Sequence, residues 1–236
     1  MIRTIFFDLD GTLLPMDQEK FLNSYFRRIM KTLAPRGYEP KDLLQNIWAG
    51  TSMALKNDGS RTNEQVFWDY FSSVYGENAL LDKPAFDAFY RGEFQKVAED
   101  CGYDPQSKLT IDQLKSDGYR LVLATNPVFP AVATESRVRW AGLEPEDFVH
   151  RTTYENSSYC KPNPAYYQEI LNKLDLRAEE CLMVGNDAEE DGAAEKVGMR
   201  VFFLTNCFIN SKNLDISEYP QGGFSDLLEY IRCENN

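Results

Sequence analysis

The sequence predicts an α/β protein in which a parallel β-sheet is interrupted, early in the chain, by a long helical segment. Three observations carry this prediction. Ile2–Phe7 is a short apolar run rich in β-branched and aromatic residues, which is typical of a buried strand. The chain then changes to helical periodicity, and from Pro105 onward apolar runs alternate with helical patterns. Strands separated by helical patterns of about 10–15 residues indicate βαβ crossovers and therefore a parallel sheet.

The segment that follows the first strand predicts four amphipathic helices. Apolar side chains recur there at the i, i+3 and i+4 positions that share one face of a helix. The helices are expected around residues 21–33, 43–55, 66–74 and 86–97. Pro35-Arg36-Gly37 ends the first helix, and Thr62 or Asn63 is the expected N-cap of the third. The core of a helical bundle explains the aromatic residues in these stripes without a ligand-binding role.

The remainder of the chain supplies the other strands of the sheet and the helices that cover it. Strands are expected at residues 120–124, 148–154, 181–184 and 201–204. Helices are expected at residues 109–116, 131–141, 164–174, 188–197 and 224–231. In a parallel sheet of this kind, ligands bind outside the carboxyl ends of the strands. Polar residues at those ends therefore mark the candidate site.

Two carboxylates, Asp8 and Asp10, end the first strand and are followed at once by Gly11. Residues i and i+2 of an extended segment point to the same side, so both carboxylates are expected in one small volume despite their mutual repulsion. This arrangement suits a divalent cation, with one carboxylate free to attack an electrophile and the other to move a proton. The alternative is a plain turn, in which Asp caps and Gly11 supplies the positive φ angle.

Other polar residues collect at equivalent positions along the chain. Thr125-Asn126 follows the second strand, and Lys161 lies just before a predicted helix. Asn186-Asp187 follows another strand, with Asp191 four residues after Asp187. Because the carboxyl ends of parallel strands lie at one edge of the sheet, we expect these hydroxyl, amine and carboxylate groups to converge on one site.

Charge and composition restrict the class of partner. The 236 residues carry a formal net charge of −12, which argues against nucleic acid or an anionic membrane as a partner. An anionic substrate would then need a local positive centre, such as a metal or a lysine. Three arginines are expected at the solvated surface rather than in contact with substrate anions: Arg61, Arg137 and Arg139. Glu189 and Glu190 are expected to be a solvated pair in the first turn of the predicted helix at residues 188–197.

The cysteines and the single histidine exclude several kinds of site. The five cysteines show no CxxC or metal-ligand spacing and are expected to be free thiols in a reducing cytoplasm: Cys101, Cys160, Cys181, Cys207 and Cys233. His150 alone excludes a multi-histidine metal site and disfavours a serine or cysteine triad. We expect neither a signal peptide nor a membrane span, because the sequence shows no signal-peptide pattern and no apolar window of sufficient length.

Four ordered motifs resemble those of the haloacid dehalogenase-like hydrolase superfamily. They are DxDGT at Asp8–Thr12, a hydrophobic strand ending at Thr125, a Lys161-Pro162 segment and the acidic segment Gly185–Asp191. The resemblance implies a Rossmann-like parallel sheet core with an inserted α-helical cap domain of the family's C1 type. The core domain would comprise residues 1–15 and 100–236. The cap would comprise residues 16–99, with residues 49–60 and the cap helices contacting the substrate.

The resemblance also implies a role for each site residue. Asp8 would be the nucleophile that attacks phosphorus and forms an aspartyl-phosphate. Asp10 would protonate the leaving oxygen and then deprotonate the hydrolytic water. The hydroxyl of Thr125 and the backbone N–H of Asn126 would hold phosphoryl oxygens. Lys161 would neutralise charge on the nucleophile and on the phosphoryl group.

Mg²⁺ is the cofactor that the resemblance implies. Asp8, the backbone carbonyl of Asp10 and the fourth motif would hold it, with waters in its octahedron. The fourth motif reads Gly-Asn-Asp rather than the commoner Gly-Asp, so either Asn186 or Asp187 could face the ion. Since a carboxylate is the stronger ligand for a hard cation, the sequence favours Asp187, with Asp191 in support.

The function implied is that of a Mg²⁺-dependent phosphatase acting on a small phosphorylated metabolite in the cytoplasm, with the oligomeric state open. A phosphomutase of the same superfamily keeps both aspartates and stays an alternative. Dehalogenases of this kind lack the second aspartate, so Asp10 counts against that activity. A catalytically silent domain that binds a metabolite or a partner protein is the remaining alternative, although a binding module has no need of a nucleophile matched to a general acid.

Overall fold

A parallel six-stranded sheet forms the centre of the computed structural model, which describes residues 1–235. Within these residues the strands lie in the order β3-β2-β1-β4-β5-β6, and every neighbouring pair is parallel. Their bounds are β1 Thr4–Phe7, β2 Arg120–Leu123, β3 His150–Arg151, β4 Cys181–Gly185, β5 Arg200–Leu204 and β6 Gln221–Gly222. The sequence prediction of a parallel α/β sheet is confirmed.

Eight α-helices accompany the sheet in the described part of the chain. They are α1 Gln18–Leu33, α2 Pro40–Leu55, α3 Asn63–Tyr75, α4 Lys83–Arg91, α5 Pro105–Ser116, α6 Ala131–Trp140, α7 Pro164–Leu174 and α8 Phe224–Asn235. Thr62 is the N-cap of α3 and forms a capping box with Gln65, as its sequence position predicts. None of the helices in residues 1–235 combines the length and the apolar character needed to cross a bilayer.

Three predicted elements differ in the structure. The predicted helix at residues 86–97 is broken at Gly92, so that α4 ends at Arg91 and a 3₁₀ segment follows at Glu93–Asp100. The predicted strand at residues 148–154 pairs only over His150–Arg151. The α-helix predicted at residues 188–197 is wrong, because only a 3₁₀ segment forms there, at Gly192–Val197.

The position of β1 brings its end close to two other strands. Phe7 pairs with Leu123 of β2 on one side and with Val184 of β4 on the other. Every residue of β1 is buried, because helices cover both faces of the sheet. The chain segments that leave β1, β2 and β4 therefore emerge side by side, at one edge of the sheet.

The helices between Gln18 and Asp100, hereafter the helical insert, have their own apolar core. That core is largely aromatic and includes the fully buried Phe71 and Phe94. It also contacts the body of the protein, since Ala133 of α6 belongs to the same cluster and Phe129 packs against it. The insert thus lies beside the segment that follows β2, at the edge of the sheet where the candidate site residues emerge.

The pKa of His150, the single histidine, depends on the partial burial of this residue in β3. Burial, together with Lys173 and Arg151, lowers the pKa of His150 from 6.5 to about 4. The unfolded chain therefore binds more protons between these values, and the free energy of unfolding should fall as the pH drops from about 6.5 to about 4. Urea unfolding at several pH values should show a shallower decline for His150→Gln. Parallel pH profiles for the two proteins would contradict this burial.

Candidate active site

Asp8 and Asp10 lie at the carboxyl end of β1, where the sequence predicts them. Asp8 is buried and its backbone N–H donates to the carbonyl of Val184 (2.9 Å), which continues the β1–β4 pairing by one residue. Gly11 then turns the chain with a φ of +87°, as the turn interpretation expects. A Cβ atom at Gly11 would lie 2.3 Å from Nδ2 of Asn186, so a larger residue would displace the fourth motif.

Lys161 connects the first motif to the fourth. Its Nζ donates to Oδ1 of Asp8 (2.9 Å) and to Oδ1 of Asp191 (2.6 Å), and its side chain is completely buried. Burial opposes the ammonium form, but the carboxylates of Asp191 and Asp8 outweigh it and hold the pKa of Lys161 well above its usual value. Lys161 therefore stays protonated between two carboxylates.

The helix α7 holds Lys161 in place. Pro164 is its first residue, and the side chain of Asn163 caps the helix by accepting from the N–H of Ala165 (3.0 Å). Tyr166 and Tyr167 are buried on its inner face. The hydroxyl of Tyr166 donates to the carbonyl of Thr125 (2.9 Å), and that of Tyr167 donates to the carbonyl of Glu190 (2.9 Å). Two tyrosines thus attach this helix to both neighbouring site loops, a role that no sequence signal indicated.

Asp191 organises the loop after β4. Its Oδ2 accepts from the backbone N–H groups of Asn186 and Asp187, both at 2.9 Å. The carboxylate of Asp187 accepts from the next free N–H groups, those of Glu189 and Glu190. Asp187 thus caps the turn that follows it, and the chain then forms a 3₁₀ segment at Gly192–Val197 in place of the predicted α-helix.

The hydroxyl of Thr12 lies between the nucleophile candidate and the fourth motif. It is within hydrogen-bond distance of Oδ2 of Asp8 (3.1 Å) and of Oδ1 of Asn186 (3.0 Å). The amide nitrogen of Asn186 donates to the carbonyl of Cys207 (2.7 Å), which orients its oxygen toward Thr12. Asn186 therefore presents a side-chain oxygen beside Asp8.

Thr125 and Asn126 follow β2 and line the same cavity as Asp8. The carbonyl of Thr125 accepts from the hydroxyls of Thr152 (2.7 Å) and Tyr166 (2.9 Å), which hold this loop against the sheet. Nδ2 of Asn126 donates to Glu190 (3.1 Å), while its Oδ1 is buried without a partner. The eight residues singled out in the four motifs are thus brought together at one edge of the sheet.

Arg137 contacts this group, contrary to its predicted surface position. It is only 1% exposed, pairs with Oδ2 of Asp10, and lies over the ring of Phe129 (4.5 Å to the centroid). No amphipathic signal in the sequence indicated this burial, because polar and apolar residues of α6 are buried alike: Ala133, Thr134, Ser136, Arg137 and Val138. By contrast, Arg61 and Arg139 are exposed, as expected.

Three acidic groups of the site have raised pKa values, and burial raises that of Asp191 to about 6, against the opposing charge of Lys161. Burial raises the pKa of Asp10, and the Arg137 guanidinium partly opposes this effect. Burial also raises the pKa of Glu190 to about 7, against the opposing charge of Lys161. Glu190 lines the cavity, so its predicted position on a solvated helix is wrong. All three groups have a larger protonated fraction near neutral pH than an exposed carboxyl.

The donor atoms fit a small hard cation better than a transition metal. In residues 1–235 no three His, Cys, Asp or Glu side chains converge as a metal-ligand cluster, and Lys161 lies between Asp8 and Asp191. Oδ1 of Asp10 is buried without a hydrogen-bond partner. Side-chain oxygens of Asp8, Asn186 and Asp187 border the cavity. Few protein oxygens supplemented by water are typical of Mg²⁺ sites.

Comparison with known proteins identifies the family. The family model described as haloacid dehalogenase-like hydrolase matches residues 2–198. The chain belongs to this family. A pyrophosphatase PpaX from Bacillus cereus is 25% identical over 199 residues, which cover 84% of this chain and 81% of the relative. The expected family membership is confirmed, and the protein is a hydrolase of this family.

Solved structures agree with the fold. A 2-haloacid dehalogenase from Pseudomonas syringae superposes with a TM-score of 0.64 at 21% identity, covering 99% of each chain. A predicted phosphoglycolate phosphatase from Haemophilus somnus superposes with a TM-score of 0.56 at 22% identity, covering 98% of each chain. At these identities the likeness shows the fold alone, a parallel sheet with an inserted helical unit.

Removing the Lys161 ammonium should destabilise the protein, because Asp8 and Asp191 would then be buried without their shared cation. Lys161→Met is expected to lower the free energy of unfolding by about 3–5 kcal/mol in urea titrations. Lys108→Met breaks only an exposed pair with Asp112 and should change stability by less than about 0.5 kcal/mol.

Adding Asp191→Asn to Lys161→Met should recover part of the lost stability, because one of the two carboxylates becomes neutral. This recovery separates the electrostatic effect from the loss of packing by the lysine stem. If the double variant is no more stable than Lys161→Met, charge burial is not the cause.

Proposed function

We propose that the protein is a Mg²⁺-dependent phosphatase that hydrolyses a small phosphorylated metabolite through an aspartyl-phosphate on Asp8. The observation that carries the proposal is the position of the Asp8 carboxylate. It borders a large cavity and is paired with a protonated Lys161, with Thr125 on the same wall. The pyrophosphatase name of the PpaX relative supports a reaction at phosphorus.

Asp8 is the nucleophile in this proposal. Lys161 and Thr12 contact its two oxygens, which limits rotation of the carboxylate and orients it for attack. One oxygen bonds to phosphorus as the ester P–O bond breaks. The Lys161 ammonium and the Thr125 hydroxyl stabilise the charge on the phosphoryl oxygens, in a site where burial strengthens each interaction.

Asp10 supplies and then removes the proton. Its raised pKa leaves a protonated fraction that can donate to the departing oxygen. The resulting carboxylate takes a proton from the water that attacks phosphorus, which releases phosphate and frees Asp8. The ion pair with Arg137 holds Asp10 on the cavity side of the loop. Arg137 is therefore a positioning residue for the acid and base.

Mg²⁺ would be held by Asp8, the backbone carbonyl of Asp10 and a side-chain oxygen of the fourth motif. When bound, it supplies positive charge that stabilises the phosphoryl oxygens. The contact of Asn186 with the Thr12 hydroxyl favours Asn186, the neutral candidate, over Asp187 as the ligand. Asp191 is already committed to Lys161 and to two backbone amides.

We assign the core to residues 1–15 and 100–236 and the cap to residues 16–99. The separate aromatic core of the helical insert and its position over the site support this division. All five cysteines are free thiols, which supports the cytoplasm as the compartment. The acidic net charge supports a small-molecule substrate over nucleic acid or a membrane surface.

Asp8→Asn should abolish phosphate release from p-nitrophenyl phosphate while the thermal unfolding midpoint stays near that of the wild type. Removal of a nucleophile costs several orders of magnitude in rate, and the amide retains the shape of the carboxylate. The same assay with a sugar phosphate separates the alternatives, because a mutase isomerises it without releasing phosphate. Activity of the variant within tenfold of wild type would contradict the assignment.

The residue of the fourth motif that binds Mg²⁺ can be identified from the Mg²⁺ concentration that single variants require. EDTA should silence the enzyme and Mg²⁺ should restore it. Asn186→Ala should then raise the Mg²⁺ concentration for half-maximal activity by about 10–100-fold, more than Asp187→Ala does. The reverse ranking would place Asp187 on the ion, and full activity in EDTA after exhaustive dialysis would remove the metal from the mechanism.

A further inference from the structure

We propose that the cavity over Asp8 selects phosphate monoesters of a bulky, uncharged and apolar alcohol, and discriminates against substrates that carry a second anionic group. This inference rests on the proposed phosphatase function and names its substrate class. The cavity encloses about 550 Å³ and extends from Asp8 and Thr125 into the helical insert. Sites of this volume hold drug-sized molecules, so the space greatly exceeds the needs of a phosphoryl group.

The walls of the cavity beyond Asp8 are mainly aromatic and aliphatic. Ten aromatic side chains border it, among them Phe21, Phe26, Trp48, Phe67, Phe129 and Tyr154. Phe21, Trp68 and Phe86 belong to the aromatic core of the insert, as the sequence predicts, and also border the cavity. Burial of an apolar group against such walls is favourable in proportion to the apolar area removed from water. The distal part of the cavity thus favours an apolar leaving group.

Charge in the cavity has one sign. Its ionisable lining residues other than tyrosine are acidic: Asp8, Asp10, Asp187, Glu190 and Asp191. No lysine, arginine or histidine of residues 1–235 lines it. Lys161 lies at the Asp8 end of the cavity, where the phosphoryl group would bind, and Arg137 is paired with Asp10, so neither cation lies in the distal part. A second phosphate or a carboxylate on the substrate would therefore lose its hydration without gaining a cation.

The polar groups in the insert part of the cavity are neutral, and several are paired with one another. The hydroxyls of Tyr25 and Tyr90 form a hydrogen bond of 2.9 Å, and burial raises the pKa of Tyr25 to about 12, so it stays neutral. The indole N–H of Trp68 donates to the hydroxyl of Tyr154 (3.4 Å). These pairs leave few free hydrogen-bond donors for an anionic group in this part of the cavity. The phosphoryl group would bind at the opposite end, near Asp8 and Thr125.

The outer wall is formed by α2 and can be altered without disturbing the core. Trp48 and Leu55 border the cavity yet are 46% and 42% exposed. Trp48 packs on Phe26 with ring centroids 5.1 Å apart. Met53 is on the same helix and is 50% exposed, but it does not border the cavity. Substitutions at Met53 are therefore matched controls for those at Trp48 and Leu55.

The test compares three phosphate esters whose alcohol leaving groups have similar chemical reactivity but differ in size and charge, together with pyrophosphate as a second competitor that carries an additional anionic group. Purified enzyme with Mg²⁺ is assayed for phosphate release from 2-(2-naphthyl)ethyl phosphate, ethyl phosphate, 2-phosphoglycolate and pyrophosphate. We expect kcat/KM for the naphthyl ester to exceed that for each of the other three by at least about 100-fold, as hydrophobic pocket discrimination permits. A preference for 2-phosphoglycolate or pyrophosphate would overturn the proposal.

Variants of α2 test whether this wall of the cavity causes the preference between substrates. Trp48→Ala should lower the ratio of kcat/KM for the naphthyl ester to that for ethyl phosphate by at least about 10-fold, because part of an apolar wall is lost. Leu55→Arg should raise kcat/KM for 2-phosphoglycolate relative to ethyl phosphate, because it adds a cation. Met53→Ala and Met53→Arg should leave both ratios unchanged. Equal effects at Met53 and at the wall positions would contradict this location.

Binding measurements separate this proposal from the proposed function. Calorimetry with 2-(2-naphthyl)ethylphosphonate and ethylphosphonate reports affinity without turnover. If no ester is hydrolysed but the naphthyl phosphonate binds at least about 100-fold more tightly, the phosphatase function is wrong and the ligand class stands. If esters are hydrolysed but the two phosphonates bind equally, the phosphatase function stands and the ligand class is wrong.

Discussion

The ammonium group of Lys161 is the interaction on which the carboxylates of the site depend. It lies 2.9 Å from Asp8 and 2.6 Å from Asp191, and all three side chains are almost fully buried. Without a cation between them, two buried carboxylates would repel each other and shed their charge. Asp191 in turn accepts from the amides that follow Gly185, where a Cβ atom would lie 2.0 Å from its Oδ2. One lysine therefore links the nucleophile candidate to the backbone of the fourth motif.

A second buried cation, Arg137, holds Asp10 in a similar manner on the other side of the cavity. Both cations lie at the Asp8 and Asp10 end of the cavity, and no lysine, arginine or histidine of residues 1–235 lines the rest of it. This division explains how one site can favour attack on phosphorus while its distal part favours an uncharged group. The parallel pairing of β1 with β2 and β4 makes the arrangement possible, since it brings the ends of three strands to one level.

Periodicity and motif spacing were sufficient to predict the parallel sheet, the helical insert and the convergence of the four motifs, because these follow from local patterns and from sheet topology. Features that depend on tertiary contacts were missed. The chain after Asp187 forms a 3₁₀ segment instead of the predicted α-helix, and its Asp191 contacts Lys161, which is 30 positions away in the chain. The ion pair of Arg137 with Asp10 joins residues that are 127 positions apart. Several aromatic residues of the insert core also border the cavity, which amphipathic spacing cannot distinguish from a filled core.

Covalent trapping of phosphate on Asp8 is the most direct test of the central claim. Enzyme mixed with substrate is quenched in acid during turnover and reduced with borohydride, which converts an aspartyl-phosphate to homoserine. Peptide mass spectrometry should then find homoserine at position 8, at a level that rises with substrate and is absent in Asp8→Asn. Turnover with an unmodified Asp8, or a trapped phosphoryl group on another residue, would contradict the account.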